Sequence, residues 1–175
     1  MKNLVLLGFM GAGKTTVGRQ AAEQLGLRVV ETDTEIETVC GKPIPEIFSQ
    51  LGEDYFRKIE SQVIEKCCHQ PDCLVITGGG AVLREENWRH MKCGIIISLL
   101  VTPEEVLRRV GTGSGRPLLE EGDAGERISG LMAQRAHLYR MADSLVPTDG
   151  KSSGEVVESV VMVYRLLAGR HGSAN

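Results

Sequence analysis

The stretch Gly8-Phe9-Met10-Gly11-Ala12-Gly13-Lys14-Thr15-Thr16, directly after the apolar run Leu4-Val5-Leu6-Leu7, constrains this chain more than any other. It fits G-x-x-x-x-G-K-[ST] with a strand-like run before it and helical spacing after it, at Val17, Ala21, Ala22 and Leu25. Glycines at 8, 11 and 13 keep the loop clear of side chains. Successive N–H groups can then converge on a phosphate chain at the positive end of a helix opening near Lys14. Gly11, Ala12, Gly13, Lys14, Thr15 and Thr16 are the residues expected around a nucleotide's phosphates. Lys14 brings a point charge to the outer phosphates, and Thr15 a hydroxyl for magnesium. The plain alternative is a glycine-rich turn before an ordinary helix. Average residue frequencies place the four fixed positions by chance in about one chain of this length in 200, and the flanking patterns make chance rarer still.

Length and charge narrow the setting. At 175 residues the chain is expected to be one domain over 1–170, with a polar tail that is loose over 171–175. A formal net charge of −3 gives no basic field for nucleic acid or an anionic membrane, and 4% aromatic content leaves little for base stacking. Anionic ligands must be held by local arginines. No apolar run approaches 18 residues and the start is too short for a signal-peptide core, so a cytoplasmic protein is expected. The five cysteines, Cys40, Cys67, Cys68, Cys73 and Cys93, form no C-x-x-C pair and read as packed or idle thiols.

Strand-like runs at 4–7, 28–31, 73–77, 94–101 and 144–146 alternate with helical patterns at 14–25, 34–40, 52–68, 103–110, 124–142 and 153–168. That alternation predicts an α/β fold, a parallel sheet of about five strands covered on both faces. With the phosphate loop it makes a three-layer P-loop NTPase fold. The segment 111–125 holds Gly111, Gly113, Gly115, Gly122 and Gly125, and is expected to be a mobile lid or, more plainly, a long connecting turn.

Further along, Glu31 and Asp33 close the second strand run and, two residues apart, are expected to share a face at the edge where open α/β sheets bind ligands. One could assist magnesium through water and the other accept a proton from a hydroxyl; Asp33 could instead cap the next helix. Arg135 falls on the apolar stripe of Ile128, Leu131, Leu138, Tyr139 and Ala142, where a guanidinium needs a partner. Arg57 has Glu60 one turn on, able to hold its rotamer. Either arginine alone suits a surface or structural ion pair; two at one cleft suit a carboxylate or phosphate. Gly78-Gly79-Gly80 ends the third strand run with bare backbone donors, where a simple turn is the other reading. Arg109 and Arg116 flank the glycine-dense segment, and an arginine in a closing lid can reach phosphate charge during transfer.

Together these residues resemble one family, the shikimate kinases. The resemblance runs from Leu4 to about Val146 through 8–18, Asp33 with Ile36-Glu37, Gly41, Glu46-Ile47-Phe48, Gly52-Glu53, Phe56-Arg57…Glu60, Gly78-Gly79-Gly80, Arg116-Pro117-Leu118-Leu119 and Arg135…Tyr139…Ala142. It implies transfer of the γ-phosphoryl of MgATP to the 3-hydroxyl of shikimate by a protein acting as a monomer. Asp33, Arg57, Gly79, Gly80 and Arg135 would hold shikimate, Lys14, Asp33 and Arg116 would be catalytic, and Arg109 would lie beside the adenine. Thr15 would meet magnesium, with Glu31 assisting through water. Position 31 departs from the pattern: the family usually reads Asp-x-Asp where this chain has Glu31-Thr32-Asp33. The rivals are another small-molecule P-loop kinase, such as a gluconate-type sugar-acid kinase, and a nucleotide-dependent switch without phosphotransfer.

Overall fold

The computed structural model describes residues 2–110 and 124–172. Five strands, β1 (Leu4–Gly8), β2 (Arg28–Glu31), β3 (Cys73–Ile76), β4 (Ile95–Leu100) and β5 (Ser144–Pro147), form one sheet in the order β2-β3-β1-β4-β5. Every neighbouring pair is parallel, with Leu4 opposite Leu74 on one side and Ile95 on the other. Such strands are buried on both faces, so β1, β3 and β4 are almost unbroken aliphatic runs rather than alternating ones. Leu4, Leu6, Leu74 and Ile97 have no exposed surface.

Among the described residues seven helices surround the sheet: α1 (Lys14–Leu25), α2 (Thr32–Cys40), α3 (Ile44–Cys68), α4 (Glu85–Met91), α5 (Pro103–Val110), α6 (Ala124–Tyr139) and α7 (Ser153–Gly172). α1 packs on β1 to β3 and against α7, which covers β4 and β5; α3 lies on β3 and carries α2 and α4. α1 seats closely because Gly18 has no side chain: a Cβ there would meet Ile76 Cδ1 at 2.7 Å. That seating fixes the height of the phosphate loop above the strand ends. None of these helices is long and apolar enough to cross a membrane.

The expected strands and helices are present, with differences in extent and two added helical segments. Residues 44–51 are helical, and the two parts of α3 meet at Gly52, whose φ of 81° and ψ of 167° break the helix and turn its second part toward the site. A short 3-10 turn (Ala81–Leu83) and α4 follow the glycine run, pinned by Trp88, whose indole N–H donates to the Val82 carbonyl at 3.0 Å. α6 stops at Tyr139 rather than at 142. α7 runs to Gly172, past its expected end at 168. Gly169 weakens a helix by only about 1 kcal/mol relative to alanine, too little to stop one docked on the sheet. Of the segment expected as a lid, only 124 and 125 are described, as the start of α6; 111–123, with Arg116, lie outside the described residues, as do 173–175.

Candidate active site

The phosphate loop leaves the middle strand of the sheet. Gly13 precedes α1 in the left-handed region, at φ 88° and ψ 16°, and no side chain caps the helix. The N–H groups of the first turn therefore keep their donors at the positive end of α1. Lys14 Nζ donates to the carbonyls of Gly8 at 2.7 Å and Phe9 at 3.1 Å, which lays the ammonium across the loop. Arg109, near the end of α5, ties the loop from the far side. Its Nη1 donates to Gly11 O and Thr148 Oγ1, both at 3.1 Å, its Nη2 to Thr148 O at 3.1 Å, and its Nε to Glu105 Oε1 at 2.6 Å.

Glu31 and Asp33 do not share a strand face. β2 ends at Glu31 and α2 starts at Thr32, two residues earlier than the spacing suggests, so the chain turns between the two carboxylates. Glu31 faces α1, where Oε2 accepts from Thr15 Oγ1 at 3.4 Å and Oε1 from Arg19. Asp33 lies within the first turn of α2, not at its cap. The buried Thr32 hydroxyl accepts from the Gly78 N–H at 3.2 Å and brings this turn beside the end of β3. Asp33 is exposed to solvent, and its Oδ1 lies against Gly78. Desolvation is the largest influence and raises its pKa above the ordinary aspartate value; Lys14, nearby, pulls the other way.

Gly78 and Gly80 are small because charged groups lie against them. A Cβ on Gly78 would be 2.7 Å from Asp33 Oδ1, and one on Gly80 would fall on the Arg57 guanidinium. Among the described residues nothing accepts from the N–H of Gly79 or Gly80. Arg57, on α3, is fixed from three sides. Nη1 donates to Glu60 Oε2 at 2.7 Å, Nη2 and Nε to Glu53 Oε1 at 3.1 and 3.2 Å, and Cζ lies 5.1 Å from the centre of the Phe56 ring. Glu60 is 1% exposed, and its Oε1 has no partner among the described residues. Burial, its largest influence, raises the Glu60 pKa against the opposing pull of Arg57.

Arg135 lies beside Tyr139, one turn further along α6, which contacts the same glycine turn. The Tyr139 hydroxyl donates to the Gly79 carbonyl at 2.6 Å, with the Arg135 and Arg57 charges nearby. Burial outweighs both cations and holds the phenol at about 12, so it stays a neutral donor. The stripe on α6 was legible as a packing face; that its tyrosine bonds the glycine turn beside Arg135 was not. Glu53 and Arg19 also escaped a role from sequence, although Glu53 stands four residues before Arg57 and Arg19 four after Thr15, spacings that share a helix face.

Donors for phosphates at one strand end and a cationic recess beside the next make the layout of a P-loop kinase acting on a small molecule. The shikimate kinase family model matches residues 10–165. A shikimate kinase of Caldanaerobacter subterraneus subsp. tengcongensis is 41% identical over 171 residues, covering 97% of this chain and all of that one. The solved shikimate kinase of Acinetobacter baumannii, in complex with shikimate, is 33% identical with a TM-score of 0.90, covering 97% of this chain and 94% of that one. This chain belongs to the shikimate kinase family. A gluconokinase from Sinorhizobium meliloti, 17% identical with a TM-score of 0.65 and covering 99% and 98% of the two chains, shares the fold alone.

Proposed function

We propose that this protein is an ATP-dependent shikimate kinase of the cytoplasm, working as a monomer and moving the γ-phosphoryl of ATP to the 3-hydroxyl of shikimate to give shikimate 3-phosphate and ADP. The observation that carries the reading is the meeting of Asp33, from α2, with Arg57, from α3, over Gly78 and Gly80. A carboxylate and a guanidinium against one glycine turn support the reading of a proton acceptor beside a carboxylate-binding fork.

Arg57 and Arg135 take the ligand's carboxylate, because a planar fork matches two carboxylate oxygens. Gly79 and Gly80 supply backbone N–H donors. Thus seated, the 3-hydroxyl presents to Asp33, which orients it and accepts its proton as the O–P bond forms. The loop N–H groups of Gly11 to Thr16 and the Lys14 ammonium hold the phosphates. Lys14 neutralises charge growing on the transferred group, joined by Arg116 as the resemblance assigns it. Arg109 braces the loop on the side assigned to the adenine.

A magnesium ion fits the donors present. The Thr15 hydroxyl and Glu31 Oε2 are hard oxygens 3.4 Å apart at the loop, and such an ion takes one or two protein oxygens, phosphates and its remaining waters. Thr15 would hold it directly and Glu31 through water, and when bound it neutralises phosphate charge. Glu31→Asp is expected to remain active while needing more magnesium, read from rates across a magnesium titration. Complete loss in a folded variant would give the longer side chain a direct role.

Asp33 must be ionised to accept the proton, and burial raises its pKa. The acid limb of kcat/KM for shikimate should therefore lie above the ordinary aspartate value, with the rate falling as pH drops through it, and Asp33→Asn should abolish that limb along with most turnover. A pH profile of wild type and variant measures both. A coupled assay with MgATP and either shikimate or gluconate, with the product identified by mass, tests the whole reading. Turnover of gluconate and not shikimate would replace it with the sugar-acid reading, and ATP binding without transfer to either would leave a nucleotide switch.

A further inference from the structure

The two oxygens of Glu31 are held by different neighbours. Oε1 accepts twice from Arg19, at 3.0 Å from Nε and 2.6 Å from Nη2, while Oε2 faces Thr15 Oγ1 at 3.4 Å. Arg19 stands one turn after Thr15 on α1, so a hydroxyl and a guanidinium on one helix face grip a single side chain from β2. We propose that Arg19 is a positioning residue: by holding Oε1 it turns Oε2 toward Thr15 and the divalent cation that accompanies the nucleotide. The inference rests on the kinase reading and deepens its metal side.

A glutamate has three side-chain torsions, and Glu31 borders an open groove that also contains Arg28, Thr34, Glu35 and Gln70. Untethered, its carboxylate would spread over rotamers that turn both oxygens into that groove. Two donors converging on one oxygen select the rotamer that leaves the other facing the loop. Arg19 is 66% exposed and Glu31 21%. A pair so open to water contributes little to folding, so its effect belongs to the site. Two influences of Arg19 on a cation oppose each other, its positive charge repelling and its grip aligning the oxygen. Water and salt around an exposed guanidinium screen the repulsion, and alignment wins.

The test titrates Mn2+ into the ADP complex of wild type, Arg19→Lys and Arg19→Ala, reading free Mn2+ by electron paramagnetic resonance. Alongside it run the magnesium dependence of shikimate phosphorylation and melting curves that confirm folding. Arg19→Ala should bind Mn2+ about two- to five-fold more weakly, the range that an exposed ion pair commands. Arg19→Lys, which keeps the charge and loses the fork, should recover only part of that. The loss should fall on the magnesium needed for half-maximal rate more than on kcat at saturation. In a Glu31→Gln background, Arg19→Ala should weaken Mn2+ binding no further. Tighter or unchanged binding by Arg19→Ala, or full recovery by lysine, would overturn the inference. Failure of wild type to phosphorylate shikimate would count against the substrate alone, because the Mn2+ titration still reads the role of Arg19.

Discussion

Lys14→Ala is expected to lower kcat by about a thousandfold, roughly 4 kcal/mol of barrier, while the melting temperature moves by only a few degrees. The asymmetry follows from where the ammonium lies. In this structure it is bonded to the carbonyls of Gly8 and Phe9 at the mouth of an open loop, where water can replace it once the side chain is gone. Charge developing on a transferring phosphoryl group has no such substitute inside a closed site. A second effect separates this account from simple loss of nucleotide binding. Lys14 is the strongest influence lowering the pKa of Asp33, so the acid limb of the residual activity should move to higher pH. Turnover, melting and a pH profile on one preparation check all three. Near-normal turnover would remove the phosphate loop from the reaction.

Arg57→Ala should raise the KM for shikimate ~30-fold or more, the lower end of the 2–5 kcal/mol that follows loss of one side of a buried charge-assisted pair. Arg135→Ala should act in the same direction, and neither should change the KM for ATP much. Arg57→Ala carries a stability penalty that a substrate-only role would lack. Its guanidinium bonds Glu60 Oε2, Glu60 is 1% exposed, and Oε1 has no partner among the described residues. Removing one member of a buried pair costs about 3–5 kcal/mol. With the cation gone, the Glu60 pKa, already raised by burial, rises further. The deficit therefore opens as pH climbs from the ordinary glutamate range to that raised value, is complete above it, and shrinks when the carboxyl is protonated at lower pH. Arg57→Ala with Glu60→Gln should recover most of the stability and none of the affinity. Chemical denaturation at two pH values and shikimate kinetics separate the two effects. An analogue lacking the carboxylate should bind wild type far more weakly than shikimate does, yet differ little from it in the double-alanine variant of Arg57 and Arg135. Equal binding of the two ligands to wild type would remove the carboxylate clamp.

Local chemistry made much of this readable in advance. The Leu4-to-Leu7 run, the glycine spacing and Lys14-Thr15 specify strand, loop and helix within a dozen residues, because their conformations depend on neighbours in the chain. The aliphatic runs of β3 and β4 marked buried parallel strands for the same reason. Arg57 with Glu60 was legible as a pair because i and i+3 meet on any helix. The turn at Glu31 was less so. A carboxylate two residues from another reads as one strand face, and only the Thr32 hydroxyl bonded to the Gly78 N–H, 46 residues away, shows why the helix begins early and parts them.

What the sequence determined by itself is therefore the set of candidate groups: a phosphate loop, a carboxylate at Asp33, cations at Arg57 and Arg135, and a bare turn at Gly78-Gly79-Gly80. What only the tertiary structure decided is how they are supported. Gly80 is small because Arg57 lies against it, the Tyr139 hydroxyl beside Arg135 holds the Gly79 carbonyl, and Glu31 is divided between Thr15 and Arg19. Periodicity identifies which face of a helix or strand a residue occupies. It carries no information on what the opposite face presents, and that depends on the order in which the strands pair.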